Sequence, residues 1–325
     1  MSEKKSLLLA IPCFNESANV EAIHKSILDH VEFSKFNLNY EILFIDDGSK
    51  DNTVEQFKKV SLEDSQVSYI SLSRNYGKEV AMVAGFDYFH HDAMVMLDAD
   101  LQHPPALIND MINLWELGYE DVYAKRNLRR GESWMKIKTS KWYYKLLQSV
   151  SQTPVTPDAG DFRLLDKKVV LALRSMRESE RYTKGLYNVA GFKKAAIDFN
   201  AEPRLHGKSK WNLKSLVNLA LEGITSYTTA PLRISTLLGF FVSLFAFSYM
   251  IYVLTKTIIF GSDSSGFPTL VILLLFLGGC ILISNGILGE YIARIFMEVK
   301  RRPLYFIETK HIGTDVRGKD DHKDE

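Results

Sequence analysis

The stretch AMVMLDAD, from Ala93 to Asp100, decides the fold of this chain. Its apolar part ends at Leu97 and is short enough to be a buried strand, and two carboxylates, Asp98 and Asp100, follow directly. Acids at the end of a buried strand are typical of parallel α/β sheets, in which ligands bind beyond the carboxyl ends of the strands. The same two acids could instead form a solvated turn or cap a helix, so the surrounding sequence has to decide.

Apolar runs and helical patterns alternate before this stretch. The predicted strands are Ser6–Ile11, Tyr40–Ile45, Val67–Ser71 and Ala93–Leu97, and the predicted helices are Asn19–Val31, Thr53–Val60 and Lys78–Phe89. This alternation of strands and helices indicates an α/β, Rossmann-like domain with a mainly parallel sheet covered by helices on both faces. The apolar N-terminus also faintly resembles a signal peptide, but Pro12 interrupts the run and no cleavage site follows, which favours a buried first strand.

Composition narrows the class of protein. Hydrophobic residues make up 46% of the 325 residues and charged residues 24%, which is typical of a globular protein. The 40 basic and 39 acidic residues nearly cancel, so the charge offers no case for binding nucleic acid. Cys13 and Cys280 lie in an apolar N-terminal segment and a lipid-like segment respectively, which argues against a disulfide bridge.

Two long segments near the C-terminus contain no charged residue. They are Ile234–Thr255 and Ser264–Gly289, and each exceeds the roughly 20 apolar residues that cross a bilayer. The pattern predicts a two-helix transmembrane hairpin, with a buried hairpin in a soluble core as the alternative. Cations flank the hairpin on its outer ends, at Lys208, Lys210, Lys214 and Arg233 before it and at Arg294, Lys300, Arg301 and Arg302 after it. Both termini are therefore expected in the cytoplasm.

Two further segments have the pattern of interfacial helices. Trp134–Val150 interleaves lysines with aromatic residues, and Trp211–Tyr227 carries apolar residues at helical spacing. Such helices suit the headgroup layer, and ordinary core-facing helices are the alternative. The predicted organisation is a soluble α/β domain at 1–207, an interfacial helix at 208–230, two transmembrane helices at 231–290 and a cytoplasmic tail at 291–325.

The residues that can carry chemistry follow the predicted strands. Asp98, Asp100 and Gln102 offer oxygen ligands to a hard divalent cation, which can neutralise a diphosphate leaving group. Asp46 and Asp47 close the second strand, where acids can accept hydrogen bonds from a base or a ribose. Asp51 is expected to cap the next helix.

Other polar positions have weaker patterns. Asn15-Glu16 closes the first strand after Pro12 and suits either a helix cap or a ribose contact, and the cationic loop from Arg74 to Lys78 suits anionic phosphate. His103, before two prolines, is expected to shape a turn, and a role as metal ligand or general base is the alternative. Glu290 and Arg294 are four apart on a helix, which predicts an ion pair between them.

The order and spacing of these motifs resemble the family 2 glycosyltransferases of GT-A fold. The resemblance covers nearly the whole chain. It is carried by Pro12…Asn15-Glu16, Asp46-Asp47-Gly48-Ser49-x-Asp51, Arg74-Asn75-x-Gly77-Lys78 and Asp98-x-Asp100-x-Gln102-His103-Pro104. Three later segments resemble the polyprenyl-phosphate group within it, which includes dolichol-phosphate mannose synthase and bactoprenol glucosyltransferase: Gly160–Leu164, Arg204–Trp211 and Gly289–Arg294. The two-span form is typical of the bacterial branch.

The resemblance implies roles for individual residues. Asp98, Asp100 and Asp161 are implied as catalytic, with Asp98, Asp100 and Gln102 holding Mg²⁺ or Mn²⁺ and the donor diphosphate. The implied donor-binding residues are Pro12, Asn15, Glu16, Asp46, Asp47, Lys78 and Asp98, of which Asp46 or Asp47, with Glu16, contacts the nucleoside. The implied acceptor-phosphate residues are Arg126, Arg129, Arg204 and Lys210.

Some of these residues also have a purely structural explanation. The run Arg126–Arg130 could be a solvated basic loop, and Asp158 or Asp161 could bind Arg163 or cap a turn.

The implied activity is metal-dependent, inverting transfer of a sugar from a nucleotide sugar to undecaprenyl phosphate at the cytoplasmic face of a bacterial inner membrane. UDP-glucose or UDP-N-acetylglucosamine is the expected donor, with GDP-mannose as the alternative. The resemblance also suggests a homo-oligomer, a tetramer. A phosphate acceptor has a second pKa of about 6, so it is already largely dianionic at neutral pH and needs no strong general base.

Rival classes lack their signatures. A processive polysaccharide synthase should carry Gln-x-x-Arg-Trp and more apolar spans. An oxidoreductase of the Rossmann type should carry G-x-G-x-x-G after the first strand. A transporter should have charges inside its spans, and these have none. A membrane-tethered nucleotide-sugar sensor remains as the non-enzyme alternative, against which the intact set of acids argues.

Overall fold

A computed structural model of the chain describes residues 4–126, 159–179, 181–199, 230–260 and 266–313. These residues divide into two compact units. One unit contains the sheet, its helices and the segment 302–313, and the other contains two long apolar helices. Trp134–Val150 and Trp211–Tyr227, the predicted interfacial helices, lie outside the described residues.

The strands of the first unit form one sheet within the described part of the chain. They are β1 (Ser6–Cys13), β2 (Asn39–Asp46), β3 (Val67–Leu72), β4 (Ala93–Met96), β5 (Asp121–Arg126), β6 (Ala159–Asp166), β7 (Lys194–Phe199) and β8 (Ile307–His311). Their order is β7-β5-β6-β4-β1-β2-β3-β8. The pairs β1–β2, β1–β4, β2–β3 and β5–β7 are parallel, whereas β4–β6, β5–β6 and β3–β8 are antiparallel.

Six helices of this unit cover the two faces of the sheet. They are α1 (Val20–His30), α2 (Thr53–Glu63), α3 (Lys78–Asp87), α4 (Leu107–Glu116), α5 (Lys167–Ser175) and α6 (Thr183–Val189). The alternation of a strand divides the core, because Leu7 and Leu9 of β1 pack with α1, α2 and α4, while Leu8 and Ala10 pack with α3, α5 and α6. Each face therefore buries its own hydrophobic cluster.

The predicted α/β class with a mainly parallel sheet is confirmed. All seven strands and helices predicted between Ser6 and Leu97 are present, and their ends differ from the prediction by at most three residues. The first strand lies in the middle of the sheet and is buried, as expected for a core strand. The later strands had no clear sequence pattern, because charged residues interrupt their apolar positions.

Part of the segment 291–325, which was predicted to be a tail, pairs with the sheet. Residues Ile307–His311 form β8, which pairs antiparallel with β3. All six residues of β3 are buried, and without a partner its outer edge would expose unpaired backbone groups. Phe306 O accepts a hydrogen bond from Ser73 N at 2.9 Å, and the Tyr305 hydroxyl donates to Asp87 Oδ2 at 2.9 Å. The last part of the chain thus completes the sheet.

The second unit contains α7 (Ala230–Phe260) and α8 (Phe267–Val299). By length and composition both are apolar enough to cross a membrane, over Ile234–Val253 and Phe276–Val299. Ser235 Oγ donates to Ser284 Oγ at 2.8 Å and joins the two helices. The predicted ion pair is also present, since Arg294 Nη2 lies 3.0 Å from Glu290 Oε1.

Candidate active site

The topology of the sheet brings the acids at the ends of the predicted strands to one edge. Parallel β1, β2 and β4 all end there, so the residues after them, including Asp46 and Asp98, share that edge. β6 runs antiparallel to β4, with Met96 opposite Arg163, so the beginning of β6 lies beside the end of β4. Asp161, near the start of β6, therefore joins acids from the first half of the domain.

Lys78 connects two of these acids directly. It is the first residue of α3, and its Nζ lies 2.6 Å from Asp98 Oδ1 and 2.9 Å from Asp161 Oδ2. One ammonium group thus bridges carboxylates that are more than sixty residues apart in sequence. These distances are typical of charge-assisted hydrogen bonds.

The bridge keeps Lys78 and Asp98 charged. Burial alone would raise the pKa of the Asp98 carboxyl, but the Lys78 ammonium and the His103 ring hold that pKa well below its usual range. Burial alone would lower the pKa of Lys78, but the two carboxylates hold it well above its ordinary value. The site therefore carries fixed charges of both signs across the neutral pH range.

One carboxylate oxygen of Asp161 accepts a hydrogen bond, and the other has no partner. The residue is 8% exposed, and its Oδ1 is buried without a hydrogen-bond partner, while Oδ2 accepts from Lys78. A buried acceptor without a partner is costly, which makes it a candidate contact for a ligand. The sequence left open that Asp161 binds Arg163. Instead Arg163 Nη1 donates to both oxygens of Asp121 at 3.0 Å.

The predicted metal ligands follow β4 on an irregular turn. Gln102 N donates to Asp100 Oδ1 at 3.1 Å, and Leu101 between them has φ of +55°. Within the described residues, no group of three or more His, Cys, Asp or Glu side chains is already gathered around a point that could hold a metal ion. The carboxylate and amide oxygens of Asp98, Asp100 and Gln102 nevertheless fit the preference of Mg²⁺ or Mn²⁺ for hard ligands.

His103 has a contact that the sequence did not suggest. Its Nε2 lies 3.7 Å from Asp98 Oδ2, and its ring packs against Phe162 and Phe199 with centroids 5.1 and 5.3 Å away. The two aromatic contacts hold the ring in place behind Asp98. The sequence had favoured a turn at His103, with a ligand or base role as the alternative.

Asp46 and Asp47 hold the backbone of the neighbouring loops. Asp46 is fully buried, and its carboxylate accepts from Ser49 N at 3.1 Å and from Ser71 Oγ at 2.6 Å. Asp47 accepts from the N–H groups of Tyr76 and Gly77 at 2.7 and 2.9 Å. Burial raises the pKa of Asp47, and these two N–H groups offset part of the shift.

The loop after β1 is tied to the loop after β2. Lys50 N donates to Asn15 Oδ1 at 2.9 Å, and Asn15 N donates to Ser49 Oγ at 2.8 Å. Glu16 N donates to Thr53 Oγ1 at 3.0 Å, and Pro12 lies within β1 opposite Ile45.

Asn52 is the N-cap residue of α2, but Asp51, the predicted cap, does bind the start of the helix. Its Oδ1 accepts from Thr53 N at 3.1 Å, where α2 begins.

Gly48 allows the closest backbone approach at this edge. Its φ is +67°, and a Cβ on it would lie 2.3 Å from the carbonyl carbon of Arg74. The loop after β2 can therefore lie against the loop that leads to Lys78 only because residue 48 has no side chain.

The predicted acceptor residues are mostly outside the described part. Arg126 ends β5, and only its backbone is described. Arg129, Arg204 and Lys210 lie outside the described residues, as does Asp158. Their roles stay predictions.

Asp121 and Arg163 are a buried pair that sequence reasoning missed. Both are at most 2% exposed, and the Arg163 guanidinium also lies 3.4 Å from the centroid of the Tyr187 ring. The available signal was an opposite charge inside each of two short apolar segments. Because buried charges need a partner, those segments could have been predicted to pair.

Comparison with known proteins identifies the family. The model of glycosyl transferase family 2 matches residues 9–173. An uncharacterized glycosyltransferase of Synechocystis sp. is 41% identical over 301 residues, which cover 93% of this chain and 94% of that protein. The bactoprenol glucosyl transferase of Shigella phage SfII is 39% identical over 305 residues, which cover 94% and 98%.

Further likenesses extend the comparison. The prophage bactoprenol glucosyl transferase homolog of Escherichia coli K12 is 39% identical over 300 residues, covering 92% of this chain and 97% of that protein. Among solved structures, glucosyl-3-phosphoglycerate synthase from Mycobacterium tuberculosis is 16% identical with a TM-score of 0.45, covering 68% and 78%. Because the family model spans half of the chain and these relatives match nearly all of it, the chain belongs to glycosyl transferase family 2 and is a glycosyltransferase.

Proposed function

We propose that this enzyme transfers a sugar from a nucleoside-diphosphate sugar to polyprenyl phosphate at the cytoplasmic face of a bacterial inner membrane. The observation that carries the proposal is the bridge from Lys78 to Asp98 and Asp161. It gathers fixed charges of both signs at the ligand-binding edge of the sheet, where an anionic diphosphate and its metal ion need them.

The acceptor is proposed from the relatives and from the apolar helices together. Relatives named bactoprenol glucosyl transferases match this chain over 94% of its length, which includes α7 and α8. An enzyme that modifies a membrane lipid has to hold its active site near the bilayer, and two helices of this length can anchor it there. Arg126, Arg129, Arg204 and Lys210 are proposed to bind the acceptor phosphate.

The orientation in the membrane is proposed from the cations. Arg233 precedes the first apolar span, and four cations lie at or after the end of the second: Arg294, Lys300, Arg301 and Arg302. The connector 261–266 contains one charged residue, the acidic Asp263. The excess of cations at the outer ends places them in the cytoplasm. The sheet is proposed to lie on the same side, because only the short segment 300–306 separates the second helix from β8. A homo-oligomer, a tetramer, is proposed from the family resemblance alone.

The proposed chemistry is a single displacement. An oxygen of the acceptor phosphate attacks the anomeric carbon while the bond from that carbon to the donor diphosphate breaks, and the electron pair leaves with the nucleoside diphosphate. Attack opposite the leaving group inverts the anomeric carbon. The phosphate is already an anion, so the chain has to align two repelling phosphate groups rather than remove a proton. Lys78 suits the diphosphate, and Asp161 Oδ1 suits a hydroxyl of the sugar.

A divalent cation is part of the proposal. Asp98, Asp100 and Gln102 would hold Mg²⁺ or Mn²⁺, which when bound stabilises the negative charge of the leaving diphosphate. The nucleoside is proposed to lie against Pro12, Asn15 and Glu16. Asp46 and Asp47 contribute there by holding the two loops, because their carboxylates already accept hydrogen bonds from the protein.

UDP-glucose or UDP-N-acetylglucosamine is the proposed donor, and GDP-mannose is the alternative. The test is to incubate the purified enzyme and undecaprenyl phosphate with each labelled nucleotide sugar and Mg²⁺ or Mn²⁺, followed by lipid extraction. Label in the lipid with a UDP-sugar supports the proposal, and label with GDP-mannose alone selects the alternative. No labelled lipid with any donor contradicts the proposed function.

A further inference from the structure

Asp98 has a side-chain nitrogen near each of its two oxygens. Lys78 Nζ lies 2.6 Å from Oδ1, and His103 Nε2 lies 3.7 Å from Oδ2. The side chain of Asp98 is 27% exposed, so the remaining access to it is limited. A metal ion that binds Asp98 through Oδ1 would compete with Lys78 for that oxygen, and two cations so close together repel each other.

Asp161 completes the arrangement from the other side. Its Oδ2 binds the same ammonium at 2.9 Å, and its side chain is 9% exposed. Without a cation, two acids drawn to one small space would repel each other. Lys78 therefore supplies a positive charge between Asp98 and Asp161 that offsets their mutual repulsion.

The Lys78 side chain can move while its backbone stays in place. Asp47 holds the preceding loop through the N–H groups of Tyr76 and Gly77, and α3 begins at Lys78. The Lys78 side chain itself is 43% exposed and rotates about four bonds. The ammonium group can therefore leave Asp98 without disturbing the loop.

We propose that Lys78 is an internal cation that occupies the metal position beside Asp98 until the donor arrives, and that it then moves to the donor diphosphate. The inference rests on the proposed function, because the donor brings the negative charge that receives the ammonium. Metal alone binds weakly, since it has to displace Lys78. Metal and nucleotide together bind well, since the diphosphate interacts with both cations. The two affinities are therefore coupled, and the coupling is reciprocal.

The test measures Mn²⁺ binding to the full-length, detergent-solubilised protein by electron paramagnetic resonance, with and without UDP. Lys78→Met removes the internal cation, and Lys78→Arg keeps a positive charge. Lys58→Met is the matched control, because Lys58 is exposed on α2, away from the strand ends. We expect Lys78→Met to bind Mn²⁺ about tenfold more tightly than wild type without nucleotide, the effect of losing one favourable ion contact. UDP should then add less affinity than in wild type, whereas Lys78→Arg and Lys58→Met should behave as wild type.

Unchanged or weaker Mn²⁺ binding by Lys78→Met without nucleotide overturns the inference. Lys78→Gln serves as a second variant if Lys78→Met unfolds without metal, and Mn²⁺ should then restore the folded state of either one. A variant that Mn²⁺ does not restore also overturns the inference. If wild type binds neither UDP nor GDP in the presence of Mn²⁺, the proposed function fails as well. If nucleotide binding is normal, only the role of Lys78 is wrong.

Discussion

At the residue scale, similar aspartates at neighbouring strand ends have different partners. Asp46 and Asp47 accept hydrogen bonds from backbone N–H groups and a serine hydroxyl, so they hold loops in place. Asp98 instead pairs with the ammonium group at the end of the long, partly exposed Lys78 side chain. A carboxylate whose partner can move is available for exchange with a metal ion, whereas one bound by the backbone is not.

Asp100 is the proposed metal ligand whose loss should be the most informative. Asp100→Asn removes a charge that the cation needs, so we expect sugar transfer to fall by about 100-fold or more while the protein stays folded. Transfer to lipid and the thermal unfolding midpoint are to be measured together. Asp110→Asn, at an exposed position of α4, is the control and should retain wild-type transfer. Retained activity in Asp100→Asn would refute its assignment as a ligand.

Gly48 should be intolerant of any side chain. In Gly48→Ala the new Cβ would lie 2.3 Å from Arg74 C at a φ of +67°, so the two loops have to separate. We expect the free energy of unfolding to fall by about 3 kcal/mol or more, with weaker nucleotide binding. Gly118→Ala is the control, because Gly118 has φ of +86° but open space around its Cβ position. That variant should lose only about 1 kcal/mol. Equal losses would show that the close approach is unimportant.

The sequence located the acids at the strand ends better than it located their partners. Acids that follow apolar strands can be located from the sequence because the strand, its end and the acid are consecutive. The pairing of Lys78 with Asp161 spans 83 positions and depends on β6 lying antiparallel beside β4. The contact of His103 with Asp98 depends in turn on Phe162 and Phe199, which come from β6 and β7. No local pattern encodes these contacts.

At the scale of elements, α3 links the candidate site to the rest of the sheet unit. Lys78 at its start reaches Asp98 and Asp161, and Asp87 at its end binds Arg177 Nη1 at 2.6 Å and the hydroxyl of Tyr305. The segment after α8 thus contacts the helix that carries Lys78. A shift of α3 would move Lys78 relative to the acids that it bridges.

Glu79, also on α3, predicts a pH dependence of stability. Its Oε2 accepts from Thr183 N at 2.9 Å, where α6 begins. Burial raises the pKa of Glu79 above 4.5, and Asp161 adds to the shift, while the hydrogen bonds from Thr183 and the charge of Lys78 oppose it. The folded state therefore holds this proton more tightly than the unfolded state, and stability falls as pH rises from the unfolded pKa through the folded one.

Glu79→Gln tests this dependence. The variant keeps an acceptor for Thr183 N but cannot ionise, so its stability should gain on wild type as pH rises above 4.5 and level off above the folded pKa. The measurement is the difference in thermal midpoint between the two proteins, taken across the acidic to neutral range. A difference that stays constant with pH would show that Glu79 does not titrate differently in the folded state.

At the scale of the whole molecule, the chain leaves the sheet, forms two apolar helices and returns as β8. The return matters because it places sequence on both sides of the apolar segment in the same folded unit. A hairpin that crosses a membrane twice meets this requirement, since both of its ends lie on one side. The proposed topology is therefore consistent with the position of β8.

Cysteine labelling in intact bacterial cells tests the topology. In a background with Cys13→Ala and Cys280→Ala, Ser264→Cys in the connector should react with a membrane-impermeant maleimide. Lys310→Cys, on exposed β8, should react only after the membrane is permeabilised. The expectation follows from the cations at the outer ends of the hairpin. Labelling of Lys310→Cys in intact cells would indicate the opposite orientation, with β8 outside the cell. Equal labelling of Ser264→Cys and Lys310→Cys would argue against a hairpin that spans the membrane.

The sequence by itself determined the early strands and helices, the two long apolar helices and the acids at the strand ends. These follow from periodicity, apolar length and the order of consecutive residues, which are local properties of the chain. Only the tertiary structure decided that Lys78 bridges Asp98 and Asp161, that Arg163 pairs with Asp121, and that β8 covers β3. The physical reason is that buried charges and exposed strand edges require partners, and the order and direction of the strands select those partners among distant residues.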